Sequence, residues 1–158
     1  MVTISLPLPS PKLHAHAKGG HWSKKSRATK TARALAFAEP LAERGSVAYE
    51  EFEGTYEFAI LSIDFYYPDM ILRDILNSVQ GLKPYIDGLA DAGIIENDDW
   101  LHMSIGYIKA HLDRDDPRVV LTIEDAMSET CPTCGQPRLA GPLDLLKEHL
   151  WNGCWQGP

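Results

Sequence analysis

Residues 56–67 read YEFAILSIDFYY and form the strongest predicted β-strand in the chain. Successive side chains of a strand point to opposite faces, so alternate residues share one face. One face here is wholly apolar: Ala59, Leu61, Ile63, Phe65 and Tyr67. We expect this face to lie against the hydrophobic core, and Pro68 and Asp69 to end the strand.

The sequence before this strand predicts a short strand and a basic helix. Val2 to Leu6 alternates apolar and polar residues, and Pro7 begins a proline-rich turn that stops it. Residues 24–44 are rich in Ala, Lys and Arg, which favour helix. Pro40 is expected to kink or divide that helix, because proline lacks the backbone donor that a helix interior uses.

The sequence after the long strand predicts a further helix and two more strands. Apolar residues fall at helical spacing from about Asn77 to Ala92, with Asn77 as the N-terminal cap and Gly93 as the C-terminal stop. Two strands are predicted at 103–110 and 118–123.

Charge is distributed unevenly along the chain, which has 158 residues and a net charge of −7. Residues 1–44 hold eight Lys or Arg against two acids, whereas residues 45–158 hold seven against twenty. No apolar run approaches the ~20 residues of a membrane span, and the N-terminus lacks the pattern of a secretory signal. We expect a cytoplasmic protein without a membrane partner.

The basic segment predicts a surface that contacts nucleic-acid phosphates, because phosphate binding depends on local rather than net charge. A solvated helix face is the alternative explanation for such a run. The candidate DNA-binding residues in this segment are His21, Lys24, Lys25, Arg27, Lys30 and Arg33.

Acidic residues flank the second predicted helix. Asp74 lies in the stretch Arg73-Asp74-Ile75-Leu76-Asn77 before it, and Asp98 and Asp99 follow it. Carboxylates are the ligands that Mg²⁺ prefers, and metal-assisted hydrolysis of phosphodiesters uses such sites. Acids in turns and at helix starts also serve as ordinary solvated caps, so this pattern alone is not specific.

The segment RDILNSVQGLKPYIDGLADAGIIENDD, residues 73–99, resembles the core motif of the RusA family of Holliday-junction resolvases. That resemblance implies a small α+β fold over residues 1–126, with a mixed β-sheet and two main helices. It also implies a homodimeric endodeoxyribonuclease that uses Mg²⁺ or Mn²⁺ to cut four-way or otherwise branched DNA in recombination and repair. Carried over by position, Asp74 and Asp99 would bind the metal, with Asp98 and Lys83 as further catalytic residues. Arg73 would contact DNA, and Asn77 and Asp87 would support the site.

One position departs from the motif: Leu76 stands where the family has an aspartate. Leucine cannot bind a cation, and three accounts follow. Asp87 or Asp69 replaces the missing ligand, or the site holds metal more weakly with a different preference, or cleavage is lost while binding to branched DNA persists. A more distant alternative is an adaptor protein in which the acidic core is only a scaffold.

The C-terminal residues 127–158 resemble a small zinc-finger module. Cys131 and Cys134 are separated by two residues, His149 follows after fourteen, and Cys154 after four more. Three thiolates and one imidazole make a closed tetrahedral set, which predicts structural zinc carried on a knuckle and a short helix. Unrelated free cysteines are the alternative. The other histidines, at 14, 16, 102 and 111, are predicted to be surface or loop residues without partners.

The zinc prediction is tested by elemental analysis of protein purified without chelator. We expect one zinc per chain, and loss of that zinc when Cys131 and Cys134 are both changed to Ser, because two of the four ligands are removed. Protein that contains no zinc, or a double variant that retains it, would contradict the module.

Overall fold

The computed structural model describes residues 1–13, 22–43 and 54–126, and the strand predicted from YEFAILSIDFYY lies inside its sheet. The regular elements are, in chain order, β1 (Val2–Pro7), a 3-10 turn (Pro11–Leu13), α1 (Trp22–Glu43), β2 (Ala59–Tyr67), α2 (Ile75–Gln80), α3 (Lys83–Asp91), β3 (Met103–Leu112) and β4 (Arg118–Asp125).

The four strands form one mixed sheet in the order β1–β4–β2–β3. β2 runs antiparallel to β4, with Phe65 opposite Val119, and parallel to β3, with Ala59 opposite Met103. β1 runs antiparallel to β4. The predicted α+β class with a small mixed sheet is thereby confirmed. β3 and β4, although consecutive in the chain, lie on opposite sides of β2.

The helices cover one face of β1, β4 and β2, with the core between them, whereas β3 is largely exposed. Four residues of the predicted apolar face of β2 are buried, and Tyr67 at its end is partly buried and donates a hydrogen bond from its hydroxyl to Ser78 Oγ at 2.9 Å. β1, β4 and the helices complete the core with Val2, Ile4, Leu6, Val119, Leu121, Ile123, Leu82, Ile86 and Leu89.

The predicted helix at 77–92 is instead two helices, so that part of the prediction is wrong. α2 ends at Gln80 and α3 begins at Lys83. Pro84 lies in the first turn of α3, where its missing N–H costs nothing because that donor has no partner within the helix. Asp74, rather than Asn77, caps α2. Gly93 follows α3 with a φ of 70°, the left-handed conformation that favours glycine at a helix end.

α1 is one continuous helix that begins at Trp22 and extends through Pro40 to Glu43, so the predicted division at Pro40 does not occur. Among the described helices, none is long and apolar enough to cross a lipid bilayer. The predicted zinc ligands Cys131, Cys134, His149 and Cys154, like His21, lie outside the described residues.

α1 and α3 approach each other closely through small residues. Ala32 and Ala36 of α1 are buried, and Gly88 of α3 lies against them. A Cβ at position 88 would collide with the backbone oxygen of Arg33 and lie 2.9 Å from the Cβ of Ala36. The Arg33 guanidinium also binds the Asp91 carboxylate, with Nη2 2.7 Å from Oδ1. The basic helix α1 is therefore held directly against α3.

We expect Gly88→Ala to lower the free energy of unfolding by about 1–3 kcal/mol, because an overpacked contact with a backbone atom forces the two helices apart. This figure is the net loss that remains after the gain of about 1 kcal/mol that alanine brings to a helix interior. Urea denaturation measures it. Ala34→Gln, which enlarges an exposed side chain of α1, is the control and should change stability by less than about 0.5 kcal/mol.

Candidate active site

Residues 73–99 form the connection between the parallel strands β2 and β3. Arg73 and Asp74 follow the end of β2, and Asp98 and Asp99 precede the start of β3. A parallel pair needs such a crossover, because the chain must return to the end of the sheet from which it started. The motif that resembles the RusA family is therefore a single structural unit, made of α2, α3 and their flanking turns.

Asp74 is an exposed carboxylate that organises the start of α2. Its Oδ1 accepts hydrogen bonds from the backbone N–H groups of Leu76 at 2.9 Å and Asn77 at 3.2 Å. Its Oδ2 accepts one from the side-chain amide of Asn77 at 3.0 Å. Asn77, which was predicted to support the site, therefore orients the Asp74 carboxylate that the resemblance assigns to metal binding.

Leu76 projects into solvent from the first turn of α2, with 67% of its surface exposed. It is absent from the hydrophobic core. An apolar side chain here contributes little to stability, so an acid at this position can be introduced without opening a cavity. A carboxylate in the first turn of a helix also interacts favourably with the helix dipole.

Arg73, a predicted DNA contact, binds the loop that contains it. Its guanidinium donates to both carboxylate oxygens of Asp69, at 2.7 and 3.0 Å, and to the backbone oxygen of Ile71 at 2.9 Å. It also lies 4.4 Å from the ring centroid of Tyr67. The Arg73 hydrogen bonds, followed by one from the Ile71 N–H, lower the pKa of Asp69. Asp69, considered as a replacement ligand, therefore has its charge balanced by Arg73.

Lys83 brings together two acids from different parts of the motif. Its ammonium lies 2.7 Å from Asp87 Oδ1, one helical turn later, and also binds Asp98 Oδ2 across the turn after α3. Burial acts to lower the pKa of Lys83, but the hydrogen bonds to Asp87 and Asp98 outweigh it and raise that pKa. Lys83 is thus a fixed cation at neutral pH, suited to stabilising negative charge rather than to accepting a proton.

Asp99 shapes the turn that leads into β3. Its Oδ1 accepts from the backbone N–H of Leu101 at 2.8 Å and contacts His102 Nδ1 at 2.8 Å. Asn97 donates to its Oδ2 at 2.8 Å. Burial acts to raise the pKa of Asp99, but the hydrogen bonds from His102 and Leu101 prevail and lower it. Asp99 is therefore ionised at neutral pH.

Two histidines that were expected to have no partners are bound to acids, so that prediction is wrong. His102 contacts Asp99, and the spacing of three residues could have indicated the pair. His111 Nε2 lies 2.6 Å from Asp64 Oδ1, and the Tyr107 hydroxyl donates to Asp64 Oδ2 at 3.0 Å. This second cluster depends on the pairing of β2 with β3 and has no local signal in the sequence.

The predicted DNA-binding residues of α1 divide into two groups. Arg33 is paired with Asp91. The exposed residues Lys24, Lys25, Arg27 and Lys30 take part in none of the ion pairs between described residues. Unpaired cations on one helix give an acidic protein a local basic surface.

The site offers carboxylate oxygens as donors for a divalent cation. Across residues 1–13, 22–43 and 54–126, no three His, Cys, Asp or Glu side chains are grouped so as to hold a metal ion. Magnesium is commonly held by one or two protein carboxylates, while water and substrate phosphates complete its coordination. Asp74 and Asp99 are donors of that type and both reach solvent, one at each end of the α2–α3 crossover, so the type of donor fits a divalent cation.

Comparison with known proteins leaves the family open. No protein-family model matches the chain. A stretch of 94 residues is 39% identical to an uncharacterized protein of Xylella fastidiosa (strain Temecula1) and covers 58% of this chain. The matched stretch also spans 58% of that relative's length.

We expect the protein to lose stability in acid through its paired carboxylates. Hydrogen bonds from Arg73, Arg33 and Arg118 lower the pKa values of Asp69, Asp91 and Asp113 in the folded state. Their contribution is present above the unfolded pKa, near 3.8, and is lost as the pH falls from there through the lower folded value. Urea denaturation across this range should show a falling free energy of unfolding.

Asp91→Asn tests the assignment, since it removes one of these carboxyls and should make the fall shallower. Asp115→Asn is the control, because the Asp115 side chain forms no ion pair with another described residue. Equal slopes for wild type and Asp91→Asn would contradict the role given to the Arg33–Asp91 pair.

Proposed function

We propose that this protein is a structure-specific endodeoxyribonuclease that hydrolyses phosphodiester bonds of branched DNA, such as four-way junctions, with Mg²⁺ or Mn²⁺. The observation that supports it most is the contact of Lys83 with Asp98. The resemblance to the RusA family assigns both residues to catalysis, and they meet in the folded chain although 15 residues separate them. Chance acids in unrelated turns would have no reason to share one lysine.

Asp74 and Asp99 are the residues that would hold the cation. When bound, a divalent cation polarises the scissile phosphate and lowers the pKa of a water that attacks it. Asp99 is ready for this role without a change of protonation, since its pKa is lowered. The hydrogen bond from Asn77 to Asp74 fixes the direction of that carboxylate.

Lys83 contributes positive charge that does not depend on metal. Because its raised pKa keeps it protonated, it can stabilise the charge that develops on a phosphate oxygen during hydrolysis. Its two carboxylate partners hold the ammonium in place, which limits the entropy lost when substrate binds.

A macromolecular substrate accords with the surfaces beside the motif. Met70, Ile71 and Leu72, immediately before Arg73, are 76%, 68% and 98% exposed. Contiguous exposed apolar residues are typical of contacts with other macromolecules. The unpaired cations of α1 would bind backbone phosphates. Homodimer formation, a role in recombination and repair, and a structural zinc module at the C-terminus complete the proposal.

A second candidate is a branched-DNA binding protein that does not cleave. The observation that favours it is Leu76, which occupies the position of a metal-binding acid, is exposed to solvent and offers no ligand atom. Binding through α1 would be unaffected, because it depends on cations elsewhere in the fold.

Cleavage of a synthetic four-way junction with added Mg²⁺ or Mn²⁺ separates the two candidates. We expect wild type to cleave and both Asp74→Asn and Asp99→Asn to lose activity. Leu76→Asp should lower the Mg²⁺ concentration needed for half-maximal cleavage by about tenfold or more, because it restores a carboxylate to the site.

Leu72→Asp is the matched control for Leu76→Asp, since it makes the same change at an exposed position four residues earlier and should leave the metal requirement unchanged. Wild type that binds junctions but leaves them uncut, with cleavage gained in Leu76→Asp, would establish the binding-only candidate. No cleavage by any variant, with either metal, would contradict the endonuclease.

A further inference from the structure

A groove lies between the chain that follows β1 and the first half of α1. Its volume is about 370 Å³. Its floor is apolar and includes Leu8, Leu13, Ala28 and the side chain of Tyr85. The Tyr85 hydroxyl donates to the backbone oxygen of Pro7 at 3.0 Å, which ties α3 to the end of β1 at one wall of the groove. The volume is near the lower end of the ~300–1,000 Å³ that small-molecule sites occupy.

Among the described residues that line this groove, the charged side chains are all cationic: Lys12, Lys24 and Arg27. None of the three takes part in an ion pair with another described residue. Arg33 and Lys83, by contrast, both bind carboxylates. In a chain of net charge −7, three such cations beside a groove whose described lining contains no acid form a local concentration of positive potential.

The arrangement along α1 separates charge from apolar surface. Lys24 and Arg27 lie in its first turns, whereas Ala28, Thr31 and Leu35 continue the same side of the helix at intervals of three or four residues. A ligand that fits must therefore carry negative charge at one end and an apolar body at the other.

We propose that this groove binds one unstacked nucleotide of a single-stranded or branched DNA, with its phosphates on Lys12, Lys24 and Arg27 and its base on the apolar floor. This inference deepens the proposed function and rests on it for the choice of nucleic acid as ligand. Paired and stacked bases of a continuous duplex would leave the apolar floor unused, whereas bases of a single strand are free to enter.

Two other occupants were possible: one is less suited to the charge of the groove, and the other is separated from the nucleotide by experiment. The chain segment nearest in sequence, residues 14–21, reads HAHAKGGH and contains no acid that would complement three cations. An anionic lipid has suitable chemistry and is distinguished by experiment. The proposal therefore commits to a nucleotide and makes the lipid an outcome of the test.

The test compares binding of the full chain to a fluorescent oligothymidylate of about 12 nucleotides and to a blunt duplex of equal length, by anisotropy and without added divalent cation. We expect tighter binding of the single strand. Leu35→Glu should weaken that binding by about tenfold, because it places a negative charge at the edge of the apolar floor.

Phe37→Glu is the matched control for Leu35→Glu. Both residues lie on α1 and have similar exposure, 39% for Leu35 and 42% for Phe37, and both changes add one negative charge, but Phe37 does not line the groove. Arg27→Gln and Lys30→Gln form a second pair, since each removes one cation and only Arg27 lines the groove. Circular dichroism of all four variants is the check that each one is folded.

Groove variants that weaken single-strand binding more than their controls would support the proposal. Equal losses within each pair would overturn it in favour of a diffuse basic surface. Single strand bound no more tightly than duplex would also overturn it. The proposal would likewise be overturned if Leu35→Glu abolished binding to anionic phospholipid vesicles and left oligothymidylate binding unchanged. The assay requires no cleavage, so failure of the groove proposal is distinguishable from failure of the nuclease proposal.

Discussion

The burial of β2 is the constraint on which the rest of the structure depends. This strand has hydrogen-bonded neighbours at both edges, and one of its faces, including Leu61, Ile63 and Phe65, is fully covered. A buried strand needs a cover for its apolar face and a partner for every backbone group. The parallel neighbour β3 can be reached only by a crossover, and that crossover consists of α2, α3 and the acidic turn.

The crossover is fixed in place by its contact with α1. Gly88 permits the backbones of α1 and α3 to approach, and the Arg33–Asp91 pair joins the same two helices. The most basic helix of the protein is thus attached to the unit that carries the candidate catalytic residues. Several acids of the crossover lie against cations, as Asp87 and Asp98 do against Lys83, whereas the cations in the first turns of α1 form no ion pair with another described residue. An acidic protein can in this way present a basic surface.

The candidate catalytic acids also stabilise the local structure. Asp74 caps α2, and Asp99 binds the N–H groups and the imidazole of the turn before β3. Stability and the proposed metal binding would therefore draw on the same carboxylates. Substitution by Asn, which retains an oxygen acceptor, for that reason tests function better than substitution by Ala. Leu76 has neither role, because its side chain caps no helix and fills no space in the core.

The sequence by itself determined the elements whose signals are local. The alternation in YEFAILSIDFYY identified both the strand and its buried face, Gly93 marked a helix end, and Lys24 to Arg33 identified a basic helix. These features depend on periodicity and side-chain chemistry within a few residues. The strand order, the break at Gly81 and Leu82 that makes two helices of one, and the pairing of Lys83 with Asp98 became visible only in the folded chain. The same is true of the pairing of His111 with Asp64, which arises because β3 pairs in parallel with β2 and brings together residues 47 positions apart. Local spacing cannot express such contacts.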